Sequence, residues 1–588
     1  MLVFARRSLA PPTLPADRDA LLLEGSWQDA SAEGRSRRSL DEAILPANFG
    51  DLDATASDFA ERIIDAGFRS LPGRNALDLG ALKLRYAAVK WLRPIAYFES
   101  LEVRKIPAAV DLFLEDRRDG EYAALWRAMA ERFGFRLRTR VAPSARQSTP
   151  AVGGRLQSIA RRLVGRALAS YVRMRAATRV PSRRGPHVVL CGNPRILDPV
   201  CDALLDQGAR VSWLVERFPI RHGWTRRNDS IGWIVCDRME SRQFPASIAL
   251  PPLCHGGVDL SRVVESWLAA QEETRTADVA RCASGMRAQL RCDPPAHVIV
   301  DEDATPLKRL VIRESRSLGA SSQVVQHGVC GIRFGFTPLL ADRILAWDDG
   351  SRRQLESWGV GSERISVVGP IARESFTSEV LRHRAKRASD DSRRVLLLLT
   401  TPPRDDRPDA VEFHFTSASH AAMLRFVAKE GARLEGVEFI VKRHPRSSAD
   451  AALETALRSE PSLSAKIVSH GSLAQWIGAS DCVLSCGSSA GLEAASAGAP
   501  VVQVLPIGSG NIVPAAWYGM LGTARTGREL RSLLATAFSR GFCAEGFSDG
   551  LPSQFSPAQR IAAQVLAADR PQSLRRRQIS LPSSAGAH

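Results

Sequence analysis

The sequence predicts an α/β protein in which two parallel-sheet halves follow a mostly helical N-terminal extension. Three observations lead there. From residue 187 onward, short β-branched runs alternate with helical stretches, which implies parallel strands joined by right-handed crossovers. The run Val395-Leu396-Leu397-Leu398-Leu399 is apolar throughout, as a strand buried on both faces must be. Residues 481–503 read as strand, Gly/Ser turn, helix and strand, one compact βαβ unit.

The elements follow in chain order. Residues 1–185 form the extension. Its first forty residues are irregular, with Pro11, Pro12 and Pro15. Helical patterns then dominate, at 57–67, 79–92 and 122–133, with a strand at 108–114. Pro/Ser-rich linkers occupy 142–150 and 180–186. The first half, residues 186–372, has strands at 187–191, 210–215, 232–236, 297–300, 323–326, 343–346 and 365–368. Its helices are 196–206, after the turn Gly192-Asn193-Pro194-Arg195, a long one at 260–290, and 306–318. Residues 373–394 are polar and read as a connector. The second half, residues 393–570, has strands at 395–399, 437–441, 466–469, 482–485 and 501–504. A helix at 417–432 lies among them. A closing helix at 557–568 has Ser556 as N-cap and Pro557 at its first position. Residues 571–588, with Arg575-Arg576-Arg577, read as a disordered tail.

Composition narrows the function classes. At 588 residues the chain exceeds one core, so several domains are expected. No run approaches the roughly 18 to 20 apolar residues needed to span a bilayer. The first residues lack an apolar core of signal-peptide length, and ten scattered cysteines without a Cys-x-x-Cys fit free thiols. The expected compartment is the cytoplasm. No Cys/His cluster has ligand spacing, so no metal site is expected. The formal net charge is +17, and no Asp or Glu occurs between Glu131 and Asp198. Residues 154–179 read as a basic amphipathic helix. Leu156, Ile159, Leu163, Ala167, Tyr171 and Met174 form its stripe, beside Arg161, Arg162, Arg166 and Arg173. Such a helix either lies on an anionic membrane face or packs on its neighbours. Nucleic acid is not an expected partner, because aromatics are not interleaved with the cations.

The chemistry gathers at strand ends. In an open α/β sheet, ligands bind at the carboxyl ends of strands. The strand at 437–441 runs into Lys442-Arg443-His444-Pro445, and the strand at 482–485 into Gly487-Ser488-Ser489. Ser489 is the expected N-cap of a helix over 490–497 that Gly498 stops. Helix-terminal N–H groups with those cations make an anion site. Glu493, one turn inside the helix, either accepts from ribose hydroxyls or is a solvated glutamate. In the first half, Asp301-Glu302-Asp303 follows one strand and Gln326-His327-Gly328 another. Either the acids serve as base or one of them caps the next helix. Arg195 could meet an anionic acceptor or stand at the surface.

Gln326-His327-Gly328, Ala341 to Trp347, Val367-Val368-Gly369, Lys442 to Pro445 and Gly487 to Ser489 together resemble the GT-B glycosyltransferases of bacterial surface-carbohydrate synthesis. That group includes capsule polysaccharide transferases, sialyl- and polysialyltransferases, and CDP-glycerol glycerophosphotransferases. The resemblance covers residues 187–540. It implies two Rossmann-like domains facing a cleft, with a nucleotide-activated donor on the C-terminal one and an oligosaccharide or lipid-linked acceptor on the other. It implies no cofactor and no metal. Lys442, Arg443, His444, Gly487, Ser488, Ser489 and Glu493 would hold the nucleotide and its phosphates, with His444 also catalytic. Gln326, Gly328 and Arg195 would face the acceptor. Glu302 or Asp303, or else His327, would be the base. The similar sialyltransferases carry glycine after their acidic pair, whereas Ala304 stands here. Glycosyl transfer is the leading expectation. Transfer of a glycerol-phosphate or polyol-phosphate unit and non-catalytic binding of nucleotide or glycan are the alternatives.

Overall fold

The computed structural model describes residues 1–6, 19–24, 37–40, 49–70, 81–101, 103–115, 120–142, 185–215, 231–235, 252–272, 286–331, 333–371, 373–387, 393–400, 417–444, 450–485, 488–505, 513–543 and 555–567. The expected basic helix at 154–179, the 571–588 tail, Pro445 and Gly487 lie outside them. Three parallel sheets organise the chain, and all three are wound alike. Numbered from its own first strand, each runs 3-2-1-4-5, the doubly wound order in which the chain reverses direction between strands 1 and 4.

The first sheet is β3-β2-β1-β4-β5. Its strands are β1 (Leu2–Arg6), β2 (Ala20–Glu24), β3 (Arg37–Ser39), β4 (Ala109–Glu115) and β5 (Arg136–Ala142). Three long helices appear where helical patterns were expected: α1 (Phe49–Ser70), α2 (Ala81–Ser100) and α3 (Gly120–Phe133). Of the strands, only β4 was legible. The core of this unit is not closed by its own sequence. Leu253, Val258, Leu260, Val263, Val264, Trp267 and Phe334 all join it. Trp267 meets Trp91 edge to face at 6.0 Å.

The second sheet is β14-β13-β12-β11-β6-β7-β8. Its strands are β6 (His187–Cys191), β7 (Arg210–Val215), β8 (Ile231–Val235), β11 (His297–Val300), β12 (Ser321–Val325), β13 (Arg343–Ala346) and β14 (Ile365–Val367). Every expected strand of this half is present. Helix α4 (Pro194–Asp206) starts earlier than expected, because Asn193 caps it and Pro194 fits its first turn. A hairpin of β9 (Cys254–His255) and β10 (Val258–Asp259) leads into α5 (Ser261–Glu272). This hairpin and helix carry the residues that complete the first unit's core. Of the single helix expected over 260–290, the described parts are α5 and a helical stretch at 286–292. Helices α6 (Pro306–Arg316) and α7 (Asp349–Ser357) follow β11 and β13.

The expected connector after residue 372 is a helix, α8 (Arg373–Arg387), and it belongs to the third unit. Its Val380 joins that core. The third sheet, β17-β16-β15-β18-β19-β20, contains β15 (Arg394–Leu399), β16 (Val437–Lys442), β17 (Ala465–Val468), β18 (Cys482–Ser485), β19 (Val501–Val504) and the unforeseen β20 (Gly522–Ala524). Around it lie α9 (Ser417–Gly431), α10 (Ala451–Arg458), α11 (Leu473–Gly478), α12 (Ser489–Ser496) and α13 (Gly527–Arg540). The central leucines of β15 are buried, each contributing roughly 1.5–3 kcal/mol. The closing helix, α14 (Pro557–Ala567), returns to the second sheet. Its Ala558, Ile561, Ala562 and Val565 pack with Val188 and Leu197.

The second and third units meet directly. Val329 packs against the third sheet's core. A Cβ on Gly350, in the first turn of α7, would lie 2.4 Å from the carbonyl oxygen of Trp517, so glycine is what admits this approach.

Candidate functional site

The switch point of the third sheet lies between β15 and β18. Lys442 stands in register with Leu399, and Leu399 with Ser485. In-register neighbours leave a sheet on the same face, so Lys442 and Ser485 flank Leu399 on one face, their backbones roughly 9.5 Å apart across the sheet. Both side chains are buried, and the Ser485 hydroxyl has no hydrogen-bond partner among the described residues. Among the described residues, no carboxylate pairs with Lys442. Burial alone pushes its pKa below the ordinary lysine value. Thr400 anchors the row by donating its hydroxyl to the Lys442 carbonyl at 3.2 Å.

Helix α12 rises from this edge. Its N-cap is Ser488, one residue earlier than expected. Ser488 takes the extended backbone conformation and its hydroxyl accepts from the Ala490 N–H at 3.3 Å, while the exposed Ser489 is the first helical residue. A Cβ on Gly491 would sit 2.4 Å from Ser485 Oγ, so glycine lets the first turn settle on the strand end. Glu493 is half-buried, and desolvation raises its pKa.

The basic triplet does not act as a block. The Arg443 guanidinium turns to Glu454 on α10, at 3.1 Å, away from the Lys442 row. His444 is half-buried just past β16. Nearby, His420 Nε2 meets Asp450 Oδ2 at 2.9 Å, a buried pair that sequence reasoning missed because the two residues lie far apart in the chain. Asp450 also caps α10. Although burial opposes its ionisation, the bond to His420 holds its carboxyl below the ordinary value.

At the switch point of the second sheet the acids are already engaged. Lys308, from the first turn of α6, lies 2.6 Å from Asp301 Oδ1 and 2.8 Å from Glu302 Oε1. Asp301 also accepts from the Asn193 N–H at 2.9 Å, tying down the β6–α4 turn. Asp303 is enclosed. Its Oδ2 accepts from the N–H groups of Leu340 at 2.5 Å and Ala341 at 2.9 Å, while burial raises its pKa. The alternative that Asp301 or Asp303 caps α6 is not what the fold does either, since Thr305 occupies that position. Lys308 was legible only as a helical lysine six residues from Glu302, with nothing to mark the pairing.

Gln326 is a buried spacer. It donates to Gly328 O at 2.8 Å and Ser351 Oγ at 3.0 Å, and accepts from Trp347 N–H at 2.8 Å. His327 differs. Its ring stacks on Phe336 at 5.1 Å and 9°, and its buried Nδ1 has no partner among the described residues. A Cβ on Gly328 would meet open space. Because Val329 packs on the third sheet's core, the Gln326–Gly328 turn stands at the junction of the two units. Arg195 does not join it: it lies exposed in the first turn of α4, two strands away across β11. Among the described residues, no three His, Cys, Asp or Glu side chains gather as metal ligands. No described helix is long and apolar enough to cross a membrane.

No protein-family model and no curated protein matches the chain. Solved structures resemble it distantly. The UDP-GlcNAc 2-epimerase of Methanocaldococcus jannaschii is 12% identical, with TM-score 0.40, over 65% of this chain and 99% of that one. That of Neisseria meningitidis, bound to UDP-GlcNAc, is 11% identical, with TM-score 0.39, over 65% and 100%. A lipopolysaccharide outer core galactosyltransferase is 13% identical, with TM-score 0.36, over 60% and 90%. At such values the likeness is one of general α/β architecture.

Proposed function

We propose that the chain is a metal-independent, nucleotide-sugar-dependent glycosyltransferase of the GT-B type, which passes a sugar to a surface polysaccharide or glycolipid acceptor. Lys442 carries the proposal. An ammonium buried with no counter-charge among the described residues is costly, and an anion seated on it relieves that cost. The Ser485 hydroxyl, the Ser488 cap and the α12 dipole surround the same place and suit a phosphate. Charge building on a departing nucleoside phosphate would be stabilised there, with His444 at its rim. Glu493 would accept from ribose hydroxyls. His327, whose ring stands at the junction, would take the acceptor's proton. The acceptor would be lipid-linked, and residues 154–179 would hold the enzyme to an anionic membrane face.

The test is a thermal-shift series with CMP, CDP, UDP, GDP and dTDP. A ligand at about 100 times its dissociation constant stabilises by roughly 2.7 kcal/mol. If no nucleotide stabilises the protein, the proposal fails. A second reading, a non-catalytic nucleotide-binding subunit, is favoured by the engagement of Asp301, Glu302 and Asp303 with their neighbours. Nucleotide binding without any turnover of a donor would select it.

A further inference from the structure

His327 owes its setting to the loop that follows it, residues 330–341, and that loop is gripped from two sides. On one side Asp303 accepts the Leu340 and Ala341 N–H groups. On the other stands the first unit. Arg85, on α2, is buried and donates through Nη1 to the Thr337 carbonyl at 2.7 Å, while its Nη2 meets Glu61 of α1 at 2.6 Å. Beside it, the Tyr86 ring meets Phe334 edge to face at 5.1 Å. Phe334 is buried in the first unit's core. Between these grips lies Phe336, itself buried, whose ring carries the His327 imidazole.

We propose that Arg85 is a positioning residue: by fixing the Thr337 carbonyl it sets the Phe336 ring, and through it the orientation of His327 and of its unpaired Nδ1. The first unit then acts on the junction between the second and third sheets without reaching it. A guanidinium suits the task. It bridges a carbonyl and a carboxylate with fixed geometry, which a lysine point charge does not. Its burial next to Arg309 lowers its pKa, and Glu61 opposes that shift. Removing either partner would therefore leave a buried polar group unpaired. What the ring does once positioned rests on the proposed transferase reading. The positioning itself does not.

The experiment separates the two. Histidine carrying ¹³C at Cε1 is introduced into the full chain, and the His327 resonance is identified by its loss in His327→Gln. Phe336→Leu must move that resonance, since it removes the stacked ring. Arg85→Ala is expected to move it too, and to leave the buried His187 and His420 resonances in place. Tyr86→Leu with Phe334→Leu should give the same displacement. If Arg85→Ala does not fold, Arg85→Lys takes its place with the same readout. A His327 resonance unchanged in a folded Arg85 variant overturns the proposal. Full turnover in His327→Gln would instead defeat the catalytic reading of His327, whatever Arg85 does to the resonance.

Discussion

At Lys442, stability and binding pull in opposite directions. A buried ammonium with no counter-ion among the described residues costs free energy until a ligand supplies one. Lys442→Met keeps the length and removes the charge. It is expected to raise the melting temperature of the free protein and to abolish the shift given by nucleoside diphosphate. A charged hydrogen bond of this kind contributes roughly 1.5–3 kcal/mol, a loss of about 10- to 150-fold in affinity readable by calorimetry. A variant that is less stable and binds nucleotide as the wild type does would show that Lys442 only fills space. The acids of the second unit make a contrasting case. Glu302→Gln should leave turnover within about threefold, because Lys308 already neutralises that carboxylate. His327→Ala should lower turnover about 100- to 10,000-fold. Initial rates with a nucleotide sugar decide between them. Sequence showed Lys442 and His327 because each ends a strand. It showed Glu302 and Asp303 in the same way, but not the pairing with Lys308 or the N–H groups of Leu340 and Ala341, which are tertiary facts.

Among the elements, α8 is the clearest case of a polar segment with a structural task. Read as a connector, it carries Arg384 and Arg387, which bind Asp481 at 3.0 Å and 2.6 Å at the foot of β18. Asp481 also accepts from the Val395 N–H at 2.8 Å. Burial works against ionisation, but these three donors hold the carboxyl below its ordinary value. A depressed pKa contributes stability that is full above the unfolded value, about 4, and is lost as pH falls through the folded one. Asp481→Asn should therefore cost about 1–3 kcal/mol at pH 7 and progressively less below about pH 4. Urea unfolding at pH 7 and pH 3 gives the comparison, and equal costs at both would refute the role. In the second and third sheets, strands buried on both faces announced themselves, as β15 and β18 did, whereas the equally buried β1 and β2 lay within a proline-bearing stretch that read as irregular. The short β3 and β20, and the exposed strand β5 with its alternating Arg136, Arg138 and Arg140, did not announce themselves, because their side chains carry no continuous apolar run.

For the whole molecule, the expected division into an extension and two halves was legible only in part. The two later sheets emerged from alternation alone, whereas the first was hidden behind its helices. The first unit also cannot be cut away. Removing residues 1–142 would uncover Leu253, Val258, Leu260, Val263, Val264 and Trp267 together. Apolar surface on that scale is an aggregation site. The truncated chain is expected to elute as soluble aggregate in gel filtration, where the full chain gives one discrete species. A discrete, nucleotide-binding truncated species would show that the shared core is dispensable.

That shared core also fixes an order of events during synthesis. Residues 1–142 leave the ribosome well before the hairpin and helix that close their core. At about 5–20 residues per second, the unit waits roughly 6 to 25 s with an open apolar face. A parallel sheet whose closure depends on such distant contacts folds slowly, and in that interval it is a natural client for a chaperone. Slower translation between residues 142 and 267 would lengthen the exposure, so synonymous codon choice there becomes a determinant of yield.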